Sequence, residues 1–293
     1  MFVLIGLAII AISILGGFMM EGGKPMALMQ ITEFIIIGGA GLGSILIANP
    51  VSAVTATLKS VIGLMKGNPF TRERYMELLK MLYDMFMMAR REGLVSLDQH
   101  VEKPGESKFF QNFPGFTDNH HAMSFLSDTM KIIISGAVAN YDLAEMMDID
   151  LEASHDELHH SSHILATLGD SMPGFGIVAA VLGVVITMGA IGGEASEIGH
   201  KVGAALVGTF IGILLAYGVF QPLAKALETQ AKSEEQYLAC IKNALLSFSR
   251  GDAPLTAVEF ARRNIDPSAR PSFVEMESTC KNTSGSADMA RAA

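Results

Sequence analysis

The sequence predicts an all-α polytopic membrane protein, with four transmembrane helices in a 2+2 arrangement and a helical cytoplasmic domain. Three observations carry this. Half of the 293 residues are hydrophobic and only 17% are charged, where a soluble chain carries about 25%. Four stretches of at least 20 residues contain no Asp, Glu, Lys or Arg, and roughly 20 apolar residues take a helix across the hydrocarbon core. Those stretches form two closely spaced pairs, separated by one long polar segment. The same composition excludes intrinsic disorder over most of the length. The net charge of -9 argues against a nucleic-acid binder, which needs a basic face. Cys240 and Cys280 cannot build a disulfide framework and read as free thiols of a reducing compartment.

The first span takes residues 1–20. It has no Lys or Arg before Lys24, so it lacks the basic start of a secretory signal. A short loop, 21–33, leads to the second span, 34–54, whose helix should stop near Asn49-Pro50 because proline resists continuing it. Residues 55–170 are expected to form a helical domain. Within them, Arg72 to Arg91 places Met76, Leu79, Leu82, Met85 and Phe86 on one apolar face, and Gly93 suits a C-cap. Residues 99–117 hold Pro104, Gly105, Pro114 and Gly115 and read as a loop. Met123 to Ile134 and Leu143 to Leu168 read as helices, the latter running into the third span, 171–193. A loop at 194–201 precedes the fourth span, 202–224. A helical extension, 225–270, continues from it toward Leu246. Residues 271–293 are rich in Ser, Thr and Ala and are expected to be disordered.

Lys and Arg set the orientation. Each short loop holds one, Lys24 or Lys201, the segment 59–170 holds ten, and the chain from Lys225 onward holds nine. The long segment and both termini are therefore expected in the cytoplasm, with the short loops outside.

Small residues let membrane helices approach closely. Gly39 and Gly43 are four apart in the second span, as are Gly208 and Gly212 in the fourth, and both pairs read as packing positions. The glycines of the second span match no phosphate loop. His155, His159 and His163 are spaced to share a helix face; two such histidines can ligate zinc, but the favoured reading is the polar face of a juxtamembrane helix. No nucleophile constellation is present. Neither enzyme chemistry, nor a metal, nor a cofactor is expected. Within the spans as drawn there is no carboxylate, Lys, Arg or His, and Glu33 falls in the first loop. Ion-coupled membrane proteins usually carry such a group, so a partner helix is expected to bring it. Thr209 offers a hydroxyl to a polar path. Pro173 opens the third span, where an N1 proline is tolerated. Pro222 closes the fourth, where a continuing helix would kink.

The chain resembles the flagellar motor stator subunits of the MotA family, within the MotA/TolQ/ExbB proton-channel group. The resemblance is carried by the run from Gly169 through Pro173 to Ala180, the run from Val207 through Thr209 to Gly218, Ile133–Gly136, Arg270–Phe273, and Gly39–Ser44. It covers nearly the whole chain. It implies an inner-membrane stator that assembles with MotB, five copies around two, and uses proton-motive force to turn the rotor. MotB would supply the membrane aspartate and the peptidoglycan anchor. Pro173 and Pro222 match the prolines tied to torque. Arg90 matches the charge that contacts the rotor protein FliG. Asp98 stands where the family commonly has Glu. Thr209 matches the threonine that faces the partner's aspartate. Sodium-driven relatives, the PomA proteins, carry a second Thr where this chain has Ala180. A methyl offers no oxygen to a hard cation, so protons are the expected ion. ExbB and TolQ proteins have three spans, and a self-contained permease should carry its own membrane charge, so neither alternative fits as well.

Overall fold

The computed structural model describes residues 2–189, 192 and 195–282. The first helix, α1 (Phe2–Met20), gives way to a turn at Gly22, whose φ of 81° suits glycine. After a 3₁₀ turn at Pro25–Leu28, α2 (Ile31–Ala48) ends at Asn49, which is extended at φ -136°, ψ 149°. The residue before a proline is driven out of the helical region. Pro50 then leads into α3 (Val51–Leu64). The Thr71 hydroxyl accepts from the Arg74 N–H at 3.4 Å to open α4 (Arg72–Glu92), and Gly93 at φ 89° closes it. Residues 98–117 are wound into short pieces, among them α5 (Asp98–Glu102) and α6 (Pro114–Thr117). The Asn119 side chain accepts from the Ala122 N–H at 2.9 Å, capping α7 (His120–Ser135), which Gly136 ends in the left-handed conformation at φ 63°. Then come α8 (Asn140–Met188), α9 (Ala195–Ile213), a π-helical turn (Leu214–Phe220), α10 (Gln221–Ser249), α11 (Pro254–Asn264) and α12 (Phe273–Asn282). Among the described residues there is no strand.

The chain divides into two units, one from residues up to 67 and 157–230, the other from 68–156 and 231 onward. The first holds the apolar length of four helices long enough to span a membrane. Its buried residues include Ile37, Ile45, Leu168, Met172, Val207 and Ile211. Outward-facing Val181, Val185 and Leu206 are exposed within this chain, and α1 buries no residue at all. A helix apolar all round belongs in lipid or against other chains.

The packing of α8 on α9 is backbone to backbone. A Cβ at Gly212 would lie 2.7 Å from the Met172 carbonyl oxygen and 2.8 Å from Gly176 Cα. One at Gly176 would lie 3.0 Å from the Gly208 carbonyl oxygen. One at Gly183 would lie 2.7 Å from Ala205 Cβ. Gly208 and Gly212 therefore sit at a helix contact. Within this chain Gly39 and Gly43 do not: a methyl at either would meet nothing of it within 4 Å. On α2 the buried stripe is Glu33, Ile37, Gly41 and Ile45, and it is Gly41 whose missing Cβ leaves room for the Met172 methyl. Gly39 and Gly43 fall on another face of the same helix.

Both prolines lie inside continuous helix. Pro173 is interior to α8, not the first residue of a new span, because the helix has already run from Asn140. Pro222 follows the π-helical turn, where the Gln221 N–H bonds the Ala216 carbonyl. In a regular α-helix the proline ring would collide with the carbonyl four residues back. Widening the preceding turn removes that collision, and π turns of this kind often mark functional sites.

The second unit has its own core. Phe86 stacks on Phe248 with ring centroids 4.3 Å apart, and Tyr237 contacts both Phe70 and Tyr75 at 5.3 and 5.6 Å. Glu77 accepts from the Gly115 N–H at 2.8 Å, pinning the wound segment to α4. Lys80 is buried, pairs with Asp84 and donates to the Cys280 carbonyl at 3.3 Å. Burial pushes the Asp84 carboxyl up, and Lys80 opposes that shift. The expected disordered tail is corrected for residues 273–282. They form α12, whose Met276 and Cys280 are buried in this core; an apolar i, i+4 pair outweighs the polar composition around it. Residues 283–293 lie outside the described residues.

Two outcomes test this packing. Gly212→Ala should destabilise the extracted protein by about 1–3 kcal/mol through overpacking, read as a lowered thermal midpoint, whereas Gly39→Ala should leave it unchanged. Burial pushes the Cys240 and Cys280 thiols up to about 12, so the reactive thiolate is scarce at mildly alkaline pH. Neither should be alkylated in the folded protein, and both should react once it is unfolded.

Candidate functional site

The membrane unit brings Thr209 and Ala180 to one helix crossing. A Cβ at Gly176 would lie 3.3 Å from Thr209 Cα, and one at Gly208 would lie 3.4 Å from the Ala180 N. Both residues are half-buried within the chain. The Thr187 hydroxyl returns its proton to the Gly183 carbonyl at 2.8 Å, which is the usual fate of a hydroxyl in a membrane helix. No such bond of Thr209 is found among the described residues. The crossing therefore brings the backbones that carry one hydroxyl and one methyl close to the same pair of glycines.

A third group at this place was missed by the sequence reading. Drawing the second span from the first uncharged residue puts Glu33 in a loop. In the structure α2 starts at Ile31, so Glu33 lies in its first turn and is only 6% exposed. Its Oε2 has no hydrogen-bond partner among the described residues. It occupies the space a side chain at residue 208 would need: a Cβ there would lie 2.7 Å from that oxygen. The spacing Glu33, Ile37, Gly41, Ile45 was the available signal, since it extends the buried stripe one turn beyond the charge-free stretch.

The two prolines are accompanied by a polar tie. The Gln221 side-chain amide donates to Asp170 Oδ1 at 2.6 Å and to the Ala166 carbonyl at 3.3 Å. Asp170 lies three residues before Pro173, and Gln221 directly before Pro222. This bond joins α8 and α10 near both prolines. Pro222 itself borders an apolar groove of about 310 Å³ shared with Val3, Leu7 and Ile10 of α1.

Arg90 and Asp98 are described in the second unit alone. Arg90 stands exposed in the last turn of α4 and donates to the Gly251 carbonyl at 3.3 Å. It borders a cleft of about 420 Å³ lined by Leu94, Ile133, Gly136 and Phe248. Asp98 is half-buried and opens α5, where a carboxylate favours the helix N-terminus. The strings that carried the family resemblance have local work here. Gly136 ends α7, and Arg270 donates to the Ile265 and Arg263 carbonyls at 2.9 and 3.0 Å, closing α11. Of the histidine face, His155 is paired with Glu235 in this unit. His163 lies in the membrane unit, beside His159 with ring centroids 6.4 Å apart.

Comparison with known proteins agrees with the all-helical fold and its apolar spans. The family described as Motility protein A N-terminal matches residues 4–93, and the MotA/TolQ/ExbB proton channel family matches residues 118–239. The chain is 39% identical to Motility protein A of Escherichia coli (strain K12), over 94% of both chains. It is 35% identical to Chemotaxis protein LafT of Vibrio parahaemolyticus, over 93% of this chain and 96% of that one. Among solved structures, its fold is similar to that of C. jejuni MotAB, with a TM-score of 0.74 at 20% identity over 92% of this chain and 98% of that chain. It is similar also to the flagellar MotAB stator complex from Bacillus subtilis, with a TM-score of 0.70 at 24% identity over 87% and 92%. By its sequence along nearly its whole length, the chain belongs to the motility protein A family of flagellar stator subunits.

Proposed function

We propose that this chain is the membrane subunit of a proton-driven flagellar stator, forming a channel with a MotB-type partner and converting proton-motive force into torque on the rotor. The observation that carries this is the helix crossing at Ala180 and Thr209, in a chain 39% identical to a motility protein A over 94% of its length. The partner contributes a span with an aspartate and an anchor to peptidoglycan, and several copies of this chain, five around two partners, surround it. The ten basic residues of 59–170 and the nine from Lys225 onward put those segments and both termini on the cytoplasmic side.

Ala180 bears on the coupling ion. Na⁺ wants several oxygen ligands, and where the sodium-driven relatives have a second threonine hydroxyl this chain has the methyl of Ala180. A proton needs only one carboxyl and a water path. Neutralising the partner's carboxylate removes the large cost of holding charge in a low-dielectric site, which shifts the balance between packings of this subunit. One charge crossing 100 mV releases about 2.3 kcal/mol, enough for one modest step per ion. Pro173, Pro222 and the π-helical turn lie where α8 and α10 leave the apolar spans, and they are the places where that step bends the helices. Arg90 and Asp98 act on charges of a FliG-type rotor protein. Exposed charge pairs are individually weak, about 0–1 kcal/mol, so torque is shared among several.

The test is expression of this chain with its cognate partner in a paralysed strain lacking its own stator A subunit. Swimming should return, stop on addition of a protonophore and ignore external Na⁺. Swimming that follows Na⁺ and survives the protonophore would sink the proton assignment. In the same cells Arg90→Ala should slow swimming and Pro173→Ala should abolish it; the reverse order would show that the roles are wrongly distributed.

A further inference from the structure

Glu33 is an acid in an apolar place with nothing to balance it. It is 6% exposed, in the first turn of a membrane-spanning helix. Its Oε2 has no hydrogen-bond partner, and no cation pairs with it among the described residues. At Gly208 the space that its oxygen fills is bordered by Ala179 and Ala180 of α8, neither of which titrates. An anion held this way loses its water and gains no compensating bond. A neutral carboxylic acid avoids that cost. Ionisable residues inside membrane spans are rare and usually mark an ion pathway.

Its position ties it to the ion path rather than to packing at large. Oε2 fills the gap left by the missing side chain of Gly208. Gly208 precedes Thr209 in sequence and touches the Ala179–Ala180 stretch of α8. Proton binding at this carboxyl therefore acts at the same crossing that holds Thr209. It also bears on how closely α2 can lie against α9.

We infer that Glu33 is a proton-binding site belonging to this chain, carried as the neutral acid in the packing described and exchanging its proton with the water path beside Thr209. In the step, an O–H bond forms at a carboxylate oxygen of Glu33 as an O–H bond of a hydronium on the outer side breaks and leaves neutral water. The same bond breaks when the proton passes inward to water beside Thr209, and no electron is transferred. This inference deepens the proton-driven reading above and rests on it for the direction of flow.

The test uses the purified complex with its partner, reconstituted in lipid vesicles. Carbon-13 labelling of glutamate alone shifts the carboxylic-acid C=O stretch of a protonated glutamate in the infrared and leaves the partner's aspartate where it is. The wild-type complex should show one such glutamate band, absent from Glu33→Gln. No protonated glutamate in the wild type, or a band that persists in Glu33→Gln, overturns the inference. Voltage-driven proton uptake should fall several-fold in Glu33→Gln at equal complex recovery, with Glu33→Asp retaining part of it. Unchanged uptake in Glu33→Gln also overturns the inference. If Glu33→Gln does not assemble, Gly208→Ala serves instead, because it leaves residue 33 intact while pressing a methyl on its oxygen. A displaced glutamate band with reduced uptake supports the site, and an unmoved band with normal uptake refutes it. A wild-type complex that takes up no protons refutes the stator reading, whereas the glutamate band decides the carboxyl independently of flux.

Discussion

The near-contact of two backbones, α8 on α9 at Gly176, Gly208 and Gly212, is the constraint on which the membrane unit depends. Lipid tails are as apolar as leucine, so burial of side chains does little to hold membrane helices together. What remains is dispersion between atoms in close contact, and that falls away steeply with a gap of even one ångström. Removing the Cβ at these three positions lets carbonyl and Cα atoms of one helix touch those of the other. The polar groups of the site follow from this. Thr209 is held at the crossing because its neighbour Gly208 is in contact, Ala180 comes to the same crossing because its backbone lies against Gly208, and Glu33 has a place because Gly208 has no side chain to fill it.

Much of this was legible in the sequence, and the failures have physical causes. Four long charge-free stretches announce four spans because hydrocarbon tolerates little else. The ends of those spans are less certain, because a helix does not start where charges stop. Glu33 illustrates this: its helix begins two residues before it, and burial against Gly208 lets an acid sit inside. The four-residue spacing of Gly39 and Gly43 suggested close approach, but spacing alone does not fix which face of the helix meets a neighbour. Gly41 has that face, and Gly39 and Gly43 do not. The helix running into the third span was legible, and it leaves no place for Pro173 as a first helical residue: α8 runs unbroken from Asn140. The π-helical turn has no composition of its own, and only Pro222 hints that something must give way ahead of it. Met276 and Cys280 show the opposite error, in which a polar-looking tail carried just enough apolar spacing to be drawn into a core.

The second unit is built on other terms. Its core is aromatic and methionine-rich, and water outside supplies the hydrophobic drive that lipid does not. Its helix ends are closed by side chains chosen for that work: Thr71 and Asn119 at N-termini, Gly93 and Gly136 at C-termini, Arg270 over the last carbonyls of α11. Arg90, at the end of α4, is exposed at the surface of this unit while donating to the Gly251 carbonyl.

The winding of the turn before Pro222 has a geometric corollary. A π-helical turn accommodates one residue more than an α-helical turn over a similar rise, and each residue of an α-helix accounts for about 100° of rotation and 1.5 Å of length. Were that extra residue returned to the α-helix, Gln221 would swing by about that angle around the helix axis. The amide that now reaches Asp170 at 2.6 Å would point elsewhere. One side-chain bond thus reports the winding of the whole turn, as a pawl reports the tooth on which a ratchet has stopped.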